Sequence, residues 1–283
     1  MQISVVIPTF NRLKTLIPAV ESVLNQTSPV DEIIVVDDGS TDATSGEIRR
    51  CYPQIKLIQQ SNLGVSAARN AGIKQANFDW IALLDSDDSW LPEKITSIRK
   101  AKYRQPEYLL FHSDEIWIRR GVRVNAMKKH SKSGGWIFEY CLPLCVISPS
   151  AAVFHKSLLQ SSGYFDETLP ACEDYDLWLK ICHQYPVCYI DKPLITKYGG
   201  HQDQLSMRYW GMDRFRIRSL NRLLQQDVLN HQNRQAATTT LVKKLLILLK
   251  GARKHGNQKI IDEFAPVLEQ VQSQTYLDDY ISC

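Results

Sequence analysis

Trp80-Ile81-Ala82-Leu83-Leu84 runs directly into Asp85-Ser86-Asp87-Asp88, and this junction decides how the chain is read. Five consecutive apolar residues have the length and content of a buried strand. Three carboxylates at the edge of a core repel one another and resist desolvation, so they need a cation to face. A divalent ion meets that need. Two hard oxygen ligands two residues apart suit Mg²⁺ or Mn²⁺ while leaving coordination positions open for substrate phosphates. Taken alone, the same four residues also suit an Asp/Ser turn capping a helix that begins near Pro92. Neighbouring motifs decide between the two.

Working outward, the first hundred residues alternate between strand and helix patterns. Ile3 to Ile7 is an apolar strand ended by Pro8. Leu13, Leu16, Ile17, Val20, Val23 and Leu24 recur at helical spacing. Ile33 to Val36 is a second strand, followed by the turn and helix-start cluster Asp37-Asp38-Gly39-Ser40-Thr41-Asp42. Ile55 to Ile58 is a third strand, Asn62-Leu63-Gly64 a turn, and Val65 to Lys74 a helix rich in small residues. Apolar strands separated by helices predict an α/β domain, with a mostly parallel sheet covered on both faces. Ligands of such sheets sit beyond the carboxyl ends of the strands. Pro8-Thr9-Phe10-Asn11-Arg12, Asp37-Asp38, Asn62-Leu63-Gly64 and Asp85-Ser86-Asp87 all fall at those ends.

Beyond residue 105 the pattern loosens. Tyr108 to Phe111, Glu115 to Ile118 and Ala151 to Phe154 read as strands, and Asp174 to Tyr185 as a helix with Leu177, Trp178 and Ile181 on one face. From Trp210 onward the chain is helical and basic, with Arg214, Arg216, Arg218, Arg222, Arg234, Lys243, Lys244, Lys250, Arg253, Lys254 and Lys259 before Asp262.

The 283 residues suffice for one large α/β domain and a small appendage. A net charge of +4 does not argue for nucleic acid. Seven cysteines without a Cys-x-x-Cys pair fit neither a zinc site nor a disulfide framework, so reduced thiols are expected. Met1 to Ile7 reads as a strand rather than a signal peptide. Leu245 to Leu249, bracketed by lysines, falls far short of the roughly 20 apolar residues of a membrane span.

The motif series Pro8-Thr9-Phe10-Asn11-Arg12, Val36 to Asp42, Asn62-Leu63-Gly64, Ala68-Arg69-Asn70-Ala71-Gly72, Asp85 to Asp88 and Glu173-Asp174-Tyr175-Asp176-Leu177-Trp178 resembles, in order and spacing, that of bacterial family 2 glycosyltransferases. The resemblance covers residues 1–206. It implies a GT-A fold, a nucleotide-sugar donor (a UDP-sugar), Mg²⁺ or Mn²⁺, and inversion at the anomeric carbon, hence a hexosyltransferase of cell-surface polysaccharide or glycolipid synthesis. It divides the chain into a catalytic domain at 1–206, with a donor half at 1–105 and an acceptor half at 106–206. A basic helical region follows at 207–283.

The resemblance implies that Pro8, Thr9, Arg12, Asp38, Gly64, Arg69, Asp85, Ser86 and Asp87 line the nucleotide-sugar site. Asp38 suits the imide N–H of uracil, since an ionised carboxylate is an acceptor only. Asp37 and Asp38 also suit the dipole of the following helix. The Arg12 and Arg69 guanidinium groups suit diphosphate oxygens, although Arg69 could equally pair with Asp37 or Asp38. Gly64 serves turn geometry. Asp85 would meet the ribose, and Asp87 would hold the metal. Asp174 takes the position of the general base, with Glu173 orienting the acceptor or tuning its neighbour. His201, after Gly199-Gly200, is either a second metal ligand or phosphate donor, as the resemblance implies, or an ordinary loop histidine.

Trp136, Trp178 and Trp210 offer either a sugar platform or core packing, and His155 reads as structural. The basic helices are either a solvated face or a peripheral contact with the inner face of the cell membrane, each Lys or Arg adding about 1 kcal/mol. The expected partners are a nucleotide-sugar donor and a saccharide or lipid-linked acceptor in the cytoplasm. Two competing readings make different demands. A sugar nucleotidyltransferase needs a Gly-rich loop after the first strand, and Pro8 to Arg12 contains no glycine. A catalytically silent sugar-binding protein is expected to have lost Asp87 or Asp174, and both are present.

Overall fold

A computed structural model of the chain describes residues 1–125, 130–200 and 209–281. The first half follows the strand–helix alternation of the sequence: β1 (Ile3–Thr9), α1 (Leu13–Leu24), β2 (Glu32–Asp37), α2 (Thr44–Cys51), β3 (Lys56–Gln59), α3 (Val65–Gln75) and β4 (Trp80–Leu83). Strands β3, β2, β1 and β4 lie side by side and parallel, with Thr9 opposite Asp37. This register brings the polar clusters after β1 and β2 to one edge of the sheet.

The continuous apolar runs follow from burial on both faces. In β1, Val5 and Ile7 pack with Leu16, Val20 and Val23 of α1, whereas Val6 faces Ala68 and Ile73 of α3. A Cβ on Gly72 would stand 2.4 Å from Val6 Cγ1, so the small residues of α3 allow that helix to lie directly on β1. Gly39 adopts φ +84°, and a Cβ there would meet the Asn62 backbone nitrogen at 2.8 Å, so the turn after β2 can press against the loop after β3 only as glycine.

The second half is mixed. After β5 (Asp88–Trp90) and α4 (Lys94–Arg104) come β6 (Leu110–Arg119), β7 (Val122–Val124), α5 (Phe138–Cys141), β8 (Val153–His155), α6 (Leu158–Ser162), α7 (Glu173–Cys182) and β9 (Cys188–Gly199). The sheet continues β4-β8-β6-β9-β5, with β7 beside β6. Strands β8 and β5 run antiparallel to their neighbours, while β6 and β9 are parallel. The two strands expected at 108–111 and 115–118 form one element, because the ladder absorbs Ser113 and Asp114 through a register shift against β9. The strand expected from Ala151 begins at Val153. Pro149–Ala151 forms a 3-10 turn in which Ala151 N–H is bonded to Ser148 O and withdrawn from the ladder.

Three helices complete the fold: α8 (Asp213–Gln225), α9 (His231–Lys254) and α10 (Gln258–Ile281). Phe215, Leu220, Leu241, Leu245 and Leu249 belong to the same hydrophobic cluster as Leu177, Trp178 and Leu179 of α7. The core is therefore continuous across the boundary expected near residue 206. None of the described helices is long and apolar enough to cross a membrane.

Candidate active site

The turn after β4 and the first turn of α7 meet at Arg69. This residue lies on α3, its side chain only 4% exposed, and its guanidinium forks between two carboxylates. Nη2 donates to Asp85 Oδ1 at 2.7 Å, and Nη1 donates to Glu173 Oε1 at 2.6 Å. The Phe165 ring lies 5.2 Å below the guanidinium carbon. Arg69 thus faces Asp85 and Glu173, not Asp37 or Asp38 as its place in the sequence also allowed. Burial disfavours the charge on Arg69, but the two carboxylates outweigh it and hold the group cationic. Burial also opposes ionisation of Asp85, which Arg69, Lys197 and Arg12 together overcome, so its carboxyl lies below the usual range. For Glu173 the balance differs: burial, with adjacent Asp174 adding to it against Arg69, pushes the carboxyl up.

The turn after β4 is held by Ser150. Its Oγ accepts from Asp85 N–H at 3.1 Å and donates to Asp88 Oδ2 at 2.6 Å. Asp88 is buried, accepts from Tyr198 N–H at 3.3 Å, and lies 4.0 Å from Lys197 Nζ. Burial, with Asp85 and Asp87 alongside, pushes its carboxyl up to about 7 despite Lys197. Ser86 is buried at the centre of this turn, whereas Asp87 points outward to Arg12, whose Nη1 donates to Asp87 Oδ2 at 2.5 Å. Beside that pair lies a cavity of about 500 Å³ lined by Asn11, Arg12, Leu13, Lys14, Thr15, Asp42, Ala43 and Asp87.

Of the expected nucleotide residues, Arg12 and Asp87 line this cavity. Pro8 lies inside β1 opposite Val36, and the strand runs on to Thr9. Thr9 is buried and its Oγ1 has no hydrogen-bond partner among the described residues, so a polar contact remains to be made there. Asp38 accepts from Gln60 Nε2, Leu63 N–H and Gly64 N–H at 2.7, 2.9 and 2.8 Å, which ties its carboxylate to the loop opening α3. Gly64, at φ +95°, occupies the N-cap of that helix. Asp37 organises its own loop, accepting from Ser40 N–H at 2.8 Å and from Ser45 Oγ. Asn11 joins the first two loops: its Oδ1 accepts from Thr41 N–H at 2.7 Å and its N–H donates to Ser40 Oγ at 2.8 Å.

On the other side, Cys172 takes a left-handed conformation at φ 63° and starts α7, where Glu173 is buried against Arg69 and Asp174 is half-buried. Asp174 Oδ1 accepts from Tyr175 N–H at 2.7 Å and Oδ2 from Cys145 Sγ at 3.3 Å. Lys197, opposite Asp88 in the β5–β9 ladder, donates to Ser148 Oγ at 2.8 Å. Although burial disfavours its charge, Asp88, Glu115, Asp85 and Asp174 raise its pKa. Lys197 is therefore a cation shared by Asp85 and Asp88 after β4 and by Asp174 on α7. Sequence reading passed over Lys197, Cys145 and Ser150. Only the register of β9 opposite β5 and the path of the 142–150 segment bring them here, and no local motif marks them.

Among the three tryptophans, Trp178 is 1% exposed and packs edge-on to Phe154, so it belongs to the core. Trp136 and Trp210 are 67% and 55% exposed. His155 packs edge-on against Trp80 and its Nδ1 is hydrogen-bonded with Ser157 Oγ, a structural place. His201 lies outside the described residues.

Comparison with known proteins agrees with this geometry. The family model described as Glycosyl transferase family 2 matches residues 4–136. An uncharacterized glycosyltransferase of Rickettsia felis is 34% identical over 196 residues, which is 68% of this chain and 32% of that protein. The Escherichia coli protein WfaP, named UDP-Glc:alpha-D-GlcNAc-diphosphoundecaprenol beta-1,3-glucosyltransferase, is 30% identical over 185 residues, 63% of this chain and 69% of WfaP. The crystal structure of S. aureus TarS 1–349 in complex with UDP-GlcNAc superposes with a TM-score of 0.69 at 20% identity, covering 87% of this chain and 72% of that one. The chain spans about a third of the length of the first curated relatives it matches. It belongs to glycosyltransferase family 2, and its fold is GT-A.

Proposed function

We propose that the chain transfers a hexose from a UDP-sugar to the hydroxyl of a saccharide or lipid-linked acceptor, with inversion at the anomeric carbon. One observation carries this reading: Arg69 bonds both Asp85, at the end of β4, and Glu173, the chain neighbour of half-buried Asp174. Donor and acceptor machinery are thereby locked in one frame, as a displacement reaction requires. In this reading Thr9 Oγ1 and Asp38 grip the base, Asp85 the ribose, and Arg12 the diphosphate. Asp174 accepts the proton of the acceptor hydroxyl, the oxygen bonds to the anomeric carbon, and the bond to the UDP oxygen breaks with its electron pair leaving on the diphosphate. Lys197 lies where its charge favours the departing anion. WfaP, named for a UDP-Glc donor and a diphosphoundecaprenol acceptor, and TarS, crystallised with UDP-GlcNAc, support both the donor class and a lipid-linked acceptor.

The residues present fit Mg²⁺ or Mn²⁺. Among the described residues no group of three or more His, Cys, Asp or Glu side chains gathers to enclose an ion. This suits an ion held by one carboxylate and by substrate phosphates, the usual habit of Mg²⁺. Asp87, a hard oxygen ligand on the cavity wall, would hold it. Such an ion neutralises the charge that develops on the leaving diphosphate.

The same reading puts the enzyme on the cytoplasmic side of the membrane, in polysaccharide or glycolipid synthesis. The outward face of α9 supports a peripheral contact there, because Lys243, Leu246, Ile247, Lys250, Arg253 and Lys254 are all exposed along it with no acid among them. The test of function is UDP release from a panel of UDP-hexoses, with and without Mn²⁺, in wild type and Asp174→Asn. Loss of the general base should lower kcat by about 10²–10⁴-fold with UDP affinity kept. Near-normal turnover in Asp174→Asn would remove the base from this position. A wild type that binds UDP-hexoses but never turns them over would favour the silent sugar-binding reading.

A further inference from the structure

Asp174 is held by a residue that no sequence motif marks. Cys145 lies in the segment between α5 and the Pro149–Ala151 turn, with Sγ 3.3 Å from Asp174 Oδ2 and 3.2 Å from Ile147 O. The thiol has one proton, and the carboxylate is the stronger of the two acceptors. With Tyr175 N–H on Oδ1 at 2.7 Å, each carboxylate oxygen then accepts one hydrogen bond, fixing the plane of the group while lone pairs remain for an incoming hydroxyl proton.

The segment that carries the thiol is itself pinned at four points. Leu142 O accepts from Tyr175 Oη at 2.7 Å, and Pro143 O from Lys244 Nζ at 2.8 Å. Val146 O accepts from Lys132 Nζ at 3.1 Å, and Ser148 Oγ from Lys197 Nζ at 2.8 Å. Such a mounting restricts how the thiol can move relative to α7.

We propose that Cys145 is a positioning residue, its thiol orienting the Asp174 carboxylate for proton abstraction. The inference rests on Asp174 being the base. Burial, and then the nearby Asp174 charge, raise the thiol's pKa well above its ordinary value, so Cys145 stays an S–H donor rather than a thiolate nucleophile. The charged groups around the pair are Glu173 beside it on α7, Lys197 from β9, Lys132 and Arg216, while the neighbouring thiols of Cys172 and Cys141 have raised pKa values and stay neutral.

Two measurements on the full chain test this. The first is steady-state UDP release. Cys145→Ala is expected to lower kcat by about five- to tenfold, about the net worth of one hydrogen bond from a weak thiol donor, while the donor KM and Mn²⁺-dependent UDP affinity stay unchanged. Cys145→Ser, which keeps a donor, is expected to recover most of the loss, whereas a packing role predicts no such rescue. If Asp174→Asn is inactive and Cys145→Ala retains wild-type kcat, this inference alone falls. If Asp174→Asn is active, the base assignment falls with it. The second measurement needs no turnover. Replacing Asp174 by asparagine removes the adjacent charge, so iodoacetamide at pH 9 should alkylate Cys145 faster in Asp174→Asn than in wild type. Exposed Cys51 serves as the internal reference. Equal Cys145 labelling rates in the two proteins would overturn the contact.

Discussion

Arg69 Nη1 and Glu173 Oε1 lie 2.6 Å apart although 104 positions separate them in the chain, and their side chains are only 4% and 6% exposed. Through this pair α3, packed on the parallel half of the sheet, is tied to the first turn of α7 in the mixed half. Breaking one side of a buried ion pair leaves the other charge without compensation, which costs more than the intact pair contributes.

Arg69→Met is accordingly expected to destabilise the protein by about 3–5 kcal/mol, because Glu173 and Asp85 both lose their cation. Glu173→Gln keeps the side chain's shape and an acceptor oxygen, and its carboxyl is already pushed up by burial, so it should cost clearly less. Urea unfolding of the two variants checks the order. Equal losses would mean that Arg69 is not the hub.

Asp87 pairs with Arg12 on the wall of the cavity. Asp87→Asn should abolish the Mn²⁺-dependent part of UDP binding, because the hard-cation ligand loses its charge. Calorimetry with UDP, with and without Mn²⁺, gives the answer. Undiminished metal dependence in the variant would move the metal elsewhere.

Gly72→Ala tests the seat of α3 on β1. The added carbon would meet Val6 Cγ1 at 2.4 Å and Val36 Cγ2 at 3.0 Å, inside a packed core. A loss of about 1–3 kcal/mol is expected from overpacking, against the small gain alanine brings to a helix. A variant as stable as wild type would show that the helix can lift without cost.

Asp213 gives the expected pH dependence. It accepts from Arg216 Nη1 and Lys244 Nζ, each at 2.9 Å. Partial burial works against its ionisation, but the bonds from Lys244 and Arg216 outweigh this and hold its carboxyl below the ordinary value. Its folded pKa is then lower than its unfolded one. The contribution is full above the unfolded value, about 3.9, and is lost as pH falls through the folded value. The stability difference between wild type and Asp213→Asn should hold constant from pH 7 to 5 and shrink below pH 4. Thermal melts across that range read it directly, and a difference that persists undiminished to pH 2 would rule out the carboxylate's role.

The α/β character of the first half was legible because β1, β2 and β4 are buried on both faces and the helices between them on one. Those two conditions write directly into hydrophobic period. The same holds for the motif loops, whose Gly39 and Gly64 take the positive φ that marks a turn. Ser113 and Asp114 misled the reading of β6, because a polar pair inside a strand signals a break unless the partner strand bulges to meet it. Trp178 could be placed on an apolar helical face but not assigned to core or cleft, since that depends on Phe154 lying across from it.

By itself, then, the amino-acid order determined where the strands and helices fall in the parallel half and which polar clusters end those strands, since periodicity, breakers and turn residues act over a few neighbours. Only the tertiary structure decided which charges meet. Arg69 had carboxylates available at 37, 38, 85 and 173, and it meets Asp85 and Glu173 where α3, seated closely on β1 at Gly72, faces the turn after β4 and the start of α7. Cys145, Ser150 and Lys197 reach the cleft for the same kind of reason: they come from segments distant in the chain, and hydrogen bonds and ion pairs act through space at about 3–4 Å whatever the sequence separation.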